Sequence, residues 1–392
     1  MPADMPADMI DRAEKGLLPA GLQDVLPPLA AHESAVVERL IATFQAQGYD
    51  RVKPPLLEFE EALLTGAGAA VAGQTFRLMD PVSQRMMGLR ADMTPQVARI
   101  ATTRLKKAPR PLRLCYGGQV LQVRGSQLRP ERQFAQAGVE LIGAPQESGD
   151  AEVVVLAIEA LNAVGVQDLS VDLNTPPLVG ALAAELGLDA GRVAELRAAL
   201  DRKDAAAVRE LSGRHDDLFQ ALLRTAGPAD KALAALAALK LPAAAAAEVR
   251  RLAEVAALIR QAAPQARLTV DPVEHRGFEY QTGISFILFA KGVRGELGRG
   301  GRYEADGPNG TRESSTGFTF YMDSVLRALP PPVPALRVYL PFGAAPEQGR
   351  RLRAEGWVTL AGLAEVADPI AEARRLGCSH LFGNGEISEI KD

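Results

Sequence analysis

The chain has 392 residues, of which 47% are hydrophobic and 23% are charged, and its formal net charge is −4. This length leaves room for two or three domains with buried cores. The balance of apolar and charged residues is that of an ordinary globular protein and excludes a largely disordered chain. The slightly negative net charge shows no overall excess of positive charge for binding nucleic acid, although it is compatible with a local basic patch.

The cysteine and N-terminal patterns predict a cytoplasmic protein. Cys115 and Cys378 lie far apart and have no CxxC or Cys/His partner spacing, which argues against a zinc site and a disulfide scaffold. The repeat over Met1–Met9 is acidic and polar, without the basic start and apolar run of a signal peptide. No apolar stretch reaches the length of a membrane span. We expect no membrane insertion, no metal and no cofactor.

In chain order, the first predicted element is a helix over residues 29 to 47, whose apolar residues recur at helical spacing and which ends at Gly48. The next segment, Tyr49 to Leu57, contains Pro54 and Pro55. Because proline cannot donate to a central ladder, this segment is predicted to be an edge strand or an interface segment.

The region from Phe76 to Gly143 predicts an antiparallel sheet with one helix. The helix runs from Pro95 to about Lys106, with Thr94 as its N-cap and the proline at its first position. The predicted strands are Phe76 to Met79, Met86 to Leu89, Leu112 to Val123 and Val139 to Ile142.

The middle of the chain predicts a helical subdomain inserted into this sheet domain. Residues 150 to 164 predict an apolar helix, and Leu169 to Leu173 a strand. From about residue 177 to 265 the sequence is Ala- and Leu-rich, broken by glycine and proline, with no pattern typical of a site. Strand patterns then return at Arg267 to Val270, Ile284 to Ala290 and Gly317 to Tyr321. These strands are predicted to complete one domain over residues 1–329.

A second, smaller domain is predicted over residues 330–392. The prolines from Pro330 to Pro332 indicate a stiff linker. Beyond it, three strand patterns alternate with two helical ones, in the order β-α-β-α-β, which is typical of a small α/β unit.

Three longer blocks carry polar residues beside glycines, and none of the usual short catalytic motifs appears. The blocks are Leu89–Arg99, Gln133–Leu141 and His275–Gly283. Together they resemble histidyl-tRNA synthetase, from about Leu18 to Leu326. The resemblance implies an α+β fold with a class II aminoacyl-tRNA synthetase-like antiparallel sheet. It also identifies Tyr49–Glu58 as a dimer-forming segment and Gly300–Tyr303 as a GGRY turn.

The resemblance implies a pocket for free histidine. Asp92 and Thr94 are expected to hold the amino group of the ligand, and Glu140 its imidazole, with Gln136 facing the same pocket. Arg276 is expected to bind the ligand carboxylate, and Tyr280 to close the pocket; these are the polar partners that an amino acid needs. Considered without the resemblance, Glu140 and Gln136 also fit a pair of polar groups buried in the core, and Arg276 also fits an ordinary surface arginine.

Two departures from the synthetase pattern affect the phosphates of ATP. Gln122 stands where the family has the arginine that grips the α-phosphate, and Ser324 where it has the arginine that holds the γ-phosphate. Tyr321 replaces a glycine that leaves space for the nucleotide. Because a neutral side chain cannot supply a bidentate cation, we expect adenylate formation to be lost. Arg124 stands where the synthetase family has an acidic residue. Its side chain is expected either to be solvated on a strand or to contact an anion at a partner interface.

A histidine pocket without an ATP site resembles the regulatory subunits of ATP phosphoribosyltransferase, paralogues of the synthetases. This resemblance implies a non-catalytic subunit that assembles with a short catalytic subunit at the first step of histidine biosynthesis. It implies a homodimer within a hetero-oligomer, with histidine as feedback effector. The alternatives are a divergent histidyl-tRNA synthetase and a tRNA-binding sensor. The acidic balance and the short C-terminal unit make tRNA binding the weakest of these.

Overall fold

The computed structural model describes residues 17–127, 129–275, 277, 280–307 and 310–391. The Met1–Met9 repeat and the predicted site residue Arg276 lie outside the described residues. The chain divides into two compact units, one ending at Pro330 and the other beginning at Pro331. Within the described residues, no helix is both long and apolar enough to cross a bilayer.

The first unit combines eleven helices with twelve strands among its described residues. The helices are α1 Leu29–Ala46, α2 Glu60–Leu63, α3 Thr94–Thr103, α4 Glu147–Val164, α5 Pro177–Leu186, α6 Ala190–Asp201, α7 Ala205–Ser212, α8 Asp216–Arg224, α9 Ala229–Ala237, α10 Ala243–Ala262 and α11 Met322–Arg327. The strands are β1 Asp50–Arg51, β2 Leu57–Phe59, β3 Phe76–Met79, β4 Met86–Leu89, β5 Leu112–Leu121, β6 Gln133–Ile142, β7 Leu169–Asn174, β8 Gly227–Pro228, β9 Arg267–Val270, β10 Gln281–Ala290, β11 Gly298–Asp306 and β12 Arg312–Tyr321.

Nine of these strands form one sheet in the order β1-β5-β6-β12-β11-β10-β7-β9-β8, and β2, β4 and β3 form a small separate sheet. The six neighbouring strands β5, β6, β12, β11, β10 and β7 pair antiparallel. Strand β1 pairs with β5 in parallel, and β9 pairs with β7 in parallel. Strand β6 is buried along almost its whole length, because both faces of the sheet are covered. Its odd-numbered residues pack with α1 and α4, and its even-numbered ones face α3.

The structure confirms the predicted edge strand after the first helix, since β1 lies at one end of the sheet. Several boundaries differ from the prediction; strand β12, for example, begins at Arg312, five residues before the predicted start at Gly317. Thr94 is the first residue of α3, and Met93 precedes it as N-cap without a side-chain cap. Strand β6 begins at Gln133, six residues before the predicted start at Val139.

The glycine-rich stretch expected to form a turn at Gly300–Tyr303 is instead part of a central strand, β11. The reason is steric. A Cβ on Gly300 would stand 2.6 Å from the Phe286 side chain and 2.7 Å from that of Phe318. Glycine therefore makes room for aromatic side chains of the neighbouring strands.

Helices α5 to α10 connect β7 to β9, the insertion expected over about residues 177–265. This helical layer contacts the loop that follows β9. The backbone N–H of His275 donates to the Asp201 carboxylate at 2.7 Å, and Lys203 pairs with Asp271 at 2.5 Å. The layer is therefore tied to the loop that leads to Tyr280.

The second unit is a four-stranded sheet in the order β14-β13-β15-β16. Its elements are β13 Arg337–Leu340, α12 Pro346–Ala354, β14 Val358–Ala361, α13 Pro369–Arg375, β15 His380–Gly383 and β16 Glu386–Glu389. Two apolar clusters, one containing Leu352 of α12 and the other Ala373 of α13, lie on opposite faces of β13. The final antiparallel strand β16 is an addition to the predicted β-α-β-α-β order.

Candidate functional site

A small cavity lies on the α3 side of the large sheet, and we call it the central cavity. Its walls come from the start of α3 and from β6, β10, β11 and β12, because the register places Glu140 opposite Gly317 and Gly317 opposite Gly301. The lining residues are Asp92, Thr94, Glu140, Tyr280, Gln281, Arg299, Gly300, Gly301, Tyr303, Gly317, Phe318, Thr319 and Tyr321. Its volume is about 30 Å³, on the order of one water molecule.

Glu140 is the central acidic group of this cavity and is only 1% exposed. The Tyr303 hydroxyl donates to one of its carboxylate oxygens at 2.9 Å, and the Tyr116 hydroxyl lies 3.3 Å from the other. Gly317 has no side chain, and a Cβ there would overlap the Glu140 carboxylate. The carboxylate therefore occupies space that only glycine leaves, and its remaining lone pairs can still accept from a ligand.

Asp92 and Thr94 lie at the start of α3. The Asp92 carboxylate accepts the backbone N–H of Thr94 at 2.9 Å, which fixes it at the N-terminal end of the helix. The Thr94 hydroxyl points to Tyr116 and Thr319, with O···O distances of 3.2 and 3.4 Å. Both side chains are thus oriented toward the cavity, and Thr94 does not act as the predicted N-cap.

Burial is the main cause that raises the pKa of Glu140 from 4.5 to about 8, and the nearby Asp92 carboxylate adds to the shift while the Tyr303 hydroxyl opposes it. Burial also raises the pKa of Asp92, against the opposing effect of its hydrogen bonds with Thr94. Two carboxyl groups in one enclosed cavity disfavour each other's ionisation. A cationic ligand group would relieve this cost.

Arg299 supplies positive charge to the same cavity. Its guanidinium donates to Glu296 at 2.6 Å and to the carbonyl of Gly277 at 3.1 Å. Gly277 has a φ of +81°, and a Cβ there would collide with this guanidinium. Arg299 therefore supports the turn that carries Tyr280 and places a cation beside the two acidic groups.

Four of the six predicted site residues line the central cavity: Asp92, Thr94, Glu140 and Tyr280. Gln136 is buried but is not among the lining residues; its side-chain oxygen accepts the backbone N–H of Met93 at 3.1 Å. It therefore holds the start of α3. Tyr280 packs edge-on against Tyr303, with ring centroids 6.0 Å apart. The structure does not describe Arg276.

A second opening, the neighbouring cleft, shares Arg299 with the cavity and has a volume of about 610 Å³. Its lining residues are Ser126, Gln127, Arg129, Glu274, Gly277, Ile287, Phe289, Gly295, Glu296, Arg299 and Ser324. Arg129 lies 3.8 Å over the Tyr321 ring and pairs with Asp323 at 3.1 Å. Tyr321, which lines the central cavity, is thus covered by a cation of the cleft that already has a carboxylate partner.

The two residues predicted to replace phosphate-binding arginines bond within the chain. The Gln122 amide donates to the carbonyl of Ala91 at 3.4 Å. The Ser324 hydroxyl is buried and accepts from Arg327 at 3.0 Å. The Arg124 side chain is exposed, and its backbone N–H donates to Gln74.

Several lining residues were not predicted as site residues: Gln281, Arg299, Tyr303 and Thr319, together with the adjoining Tyr116. Tyr303 lies in the GGRY sequence, and Arg299 lies in the same glycine-rich run, so both had a local signal. Tyr116 and Thr319 lie in mainly apolar strands and had none. Among the described residues, no group of acidic, histidine or cysteine side chains could hold a metal ion.

Comparison with known proteins supports the resemblance noted in the sequence. The histidyl-tRNA synthetase family model matches residues 21–325. A Rhodospirillum centenum protein described as ATP phosphoribosyltransferase regulatory subunit is 57% identical over 376 residues, covering 96% of this chain and 97% of its own. A Paramagnetospirillum magneticum protein of the same description is 56% identical, covering 98% of this chain and 100% of its own.

The fold is similar to that of a Bacillus halodurans structure described as an ATP phosphoribosyltransferase regulatory subunit/histidyl-tRNA synthetase. The TM-score is 0.79 and the identity 26%, over 92% of this chain and 96% of the other. These findings confirm the predicted α+β class and its synthetase-like sheet. The chain therefore belongs to the ATP phosphoribosyltransferase regulatory subunit family and has a class II, histidyl-tRNA synthetase-like core.

Proposed function

We propose that this chain is a non-catalytic regulatory subunit of a hetero-oligomeric ATP phosphoribosyltransferase and that free histidine binds in the central cavity. The observation that carries the proposal is the charge pattern of the cavity. Two carboxyl groups, the half-buried Asp92 and the buried Glu140, line the cavity together with one guanidinium, that of Arg299. An amino acid with a basic ring presents the complementary set of an ammonium, a carboxylate and a ring N–H.

Each residue has a role in this proposal. Asp92 and Thr94 bind the ammonium group, and Glu140 binds the imidazole. Arg276 and Arg299 bind the ligand carboxylate, Tyr280 covers the ligand, and Gln136 keeps the start of α3 in place. The support is that the Asp92 and Glu140 carboxyl groups are held by neighbouring hydrogen bonds while facing one cavity.

The chain acts without synthetase chemistry in this proposal. Adenylate formation needs cations at the phosphates of ATP, and Gln122 and Ser324 provide none. In the neighbouring cleft, Arg129 pairs with Asp323 and Arg299 with Glu296. A phosphate group would have to compete with these carboxylates for each cation.

Feedback requires that histidine favour one state of the assembly over another. The volume of the central cavity, about 30 Å³, is too small for an amino acid. Histidine binding therefore requires its walls, including the turn with Tyr280, to move apart. A regulatory subunit could transmit that movement to a catalytic partner.

The partner in this proposal is a short catalytic subunit, as the description of the relatives as regulatory subunits suggests. We also propose a homodimer within the larger assembly, formed around Tyr49–Glu58 and the adjoining small sheet. The strands of that sheet and the residues beside them expose apolar side chains, Leu56 55%, Met79 62%, Val82 90% and Met86 42%, and exposed apolar patches mark interaction sites.

The test is isothermal titration of histidine into the purified chain, alone and with its catalytic subunit, together with assays of phosphoribosyl transfer and of histidine-dependent ATP–pyrophosphate exchange. We expect histidine binding, histidine-dependent inhibition of the assembly and no exchange. Exchange by the isolated chain would establish the synthetase alternative instead. Absence of binding in both samples, with no effect on the catalytic rate, would overturn the proposal. Salt-sensitive tRNA binding would favour the third candidate.

A further inference from the structure

Gln281, the first residue of β10, has a buried side-chain oxygen that is not hydrogen-bonded within the part of the chain that the structure describes. The residue is 9% exposed and lines the central cavity. Its side-chain oxygen Oε1 is buried and accepts no hydrogen bond from any residue that the structure describes. An unpaired buried acceptor costs about 1–3 kcal/mol, and such atoms are rare in folded proteins. A ligand group is the simplest partner for an atom that faces a cavity.

The position of this oxygen relates it to Glu140. Gly301 and Gly317 are direct neighbours on β11 and β12, and Gly317 is in turn the neighbour of Glu140 on β6. A Cβ on Gly301 would stand 2.9 Å from Gln281 Oε1, and a Cβ on Gly317 would overlap the Glu140 carboxylate. The Gln281 oxygen thus lies next to Gly301, and a Glu140 carboxylate oxygen lies next to Gly317. These two glycines are paired across the strands, where Cα atoms lie about 5 Å apart.

We propose that Gln281 is a specificity-determining residue of the central cavity, and that its amide oxygen accepts a hydrogen bond from one ring N–H of an imidazole whose other ring nitrogen meets Glu140. This inference rests on the proposed binding of histidine and adds the contact that distinguishes the ring. Two oxygens approaching from different strands fit a flat ring with two nitrogens. They do not fit a phenyl or thienyl ring, which would leave both without a donor.

The charge of the ring can vary within this arrangement. Because the pKa of Glu140 is raised to about 8, its carboxyl group can keep a proton at neutral pH and donate it to an unprotonated ring nitrogen. When Glu140 is ionised, both oxygens accept, which matches an imidazolium. Imidazole changes its own charge in this same pH range. Gln281 accepts an N–H in both cases.

The test uses two variants of the full-length chain, Gln281→Met and Gln281→Glu, titrated calorimetrically with L-histidine and with its two ring N-methyl isomers. Methionine keeps the length of the side chain but removes the acceptor, and glutamate keeps an acceptor but removes the donor. In Gln281→Met we expect histidine affinity to fall about tenfold. The penalty for one methyl isomer relative to histidine should disappear, and the penalty for the other should remain. Gln281→Glu should keep the wild-type ranking of the three ligands.

A matched control is Thr316→Val, which removes another buried polar group of the same sheet that does not line the cavity. Its histidine affinity should stay within about twofold of wild type, with thermal unfolding confirming that every variant is folded. The inference is overturned if wild type binds histidine and Gln281→Met shows the same affinity and isomer ranking. It is also overturned if Gln281→Glu loses as much affinity as Gln281→Met, since the amide would then act as a donor. If wild type does not bind histidine, the proposed function itself fails.

Discussion

The central cavity and the neighbouring cleft share Arg299 but differ in how their charges are balanced. In the cavity, Glu140 and Asp92 have raised pKa values because they are buried close together. In the cleft, Arg129 already has Asp323 as its partner and stacks on Tyr321. A ligand that brings positive charge therefore gains in the cavity, whereas an anion must displace a carboxylate in the cleft. Under the proposed function, this difference fits an amino-acid site beside a space that is poorly prepared for phosphates.

The largest expected effect concerns Glu140 and the pH dependence of folding. The unfolded chain ionises this group near 4.5, whereas the folded chain keeps the proton to about 8. Its favourable contribution is fully present below pH 4.5 and is lost as the pH rises toward 8, at about 1.4 kcal/mol per unit. We therefore expect Glu140→Gln to gain stability relative to wild type across this range, by several kcal/mol at pH 8.

Urea unfolding at pH 5 and pH 8 measures this difference. Glu195→Gln, on the exposed side of α6, is the control and should follow the wild-type pH dependence. A constant difference between Glu140→Gln and wild type at both pH values would contradict the raised pKa.

The second prediction separates the two spaces by their acidic residues. Glu140→Gln should weaken histidine binding about 10- to 100-fold, because the cationic groups of bound histidine favour the ionised carboxylate, whose negative charge an amide does not supply. Glu274→Gln changes a cleft carboxyl whose pKa burial raises to about 7, and it should change histidine affinity less than about twofold. Titration calorimetry at pH 7 compares them. Equal losses in the two variants would show that the distinction between cavity and cleft is wrong.

The third prediction concerns Arg299, the shared cation. If it binds the ligand carboxylate, wild type should prefer histidine over histidinol, which has no carboxylate. Arg299→Met should reduce this preference about tenfold, the value of one charge-assisted hydrogen bond. Arg294→Met, an exposed residue nearby in the chain, should keep the wild-type preference. An unchanged ratio of the two affinities in Arg299→Met would assign the carboxylate to another residue.

The smallest expected effect tests the cleft alone. Arg129→Met removes a mostly buried cation from Tyr321 and Asp323 and should lower the free energy of unfolding by about 1–2 kcal/mol. The loss is limited because Asp323 keeps Arg327 at 3.2 Å. Arg327→Met, which removes the more exposed partner, should cost less than about 1 kcal/mol. Histidine affinity should stay within about twofold in both, and a larger loss would mean that the cleft contributes to the amino-acid site.

Local sequence blocks predicted the acidic and hydroxyl groups of the cavity because those residues lie together at the ends of elements. Asp92 and Thr94 are two positions apart at a helix start, and Glu140 lies in a quoted block. Gln281 also lies in one of these blocks, but its place in the cavity, like that of Tyr116, depends on which strands become neighbours. That register is non-local, and a one-residue shift would turn each side chain to the other face.

The glycine-rich run and the final strand show two different reasons for error. Gly300 resembles a turn residue by itself, and only the facing Phe286 and Phe318 explain why a central strand needs it. The last hairpin did have a local signal. Asn384 and Gly385 both have positive φ, 52° and 87°, as expected for the Asn-Gly turns that join tight hairpins. The missing strand β16 was therefore predictable from the sequence.

The contacts from Asp201 to His275 and from Lys203 to Asp271 join the helical layer to the loop that follows β9. Tyr280 follows His275 by five positions in the chain, so under the proposed function a displacement at the end of α6 would reach the residue that covers the ligand. A protein that bound only to the outside of this layer could change how easily the cavity opens without touching a residue that lines it. Conversely, a ligand that wedges the cavity open would push on that same outer surface. The helical insertion would then take part in regulation, although its helices contribute no residue to the lining of the central cavity.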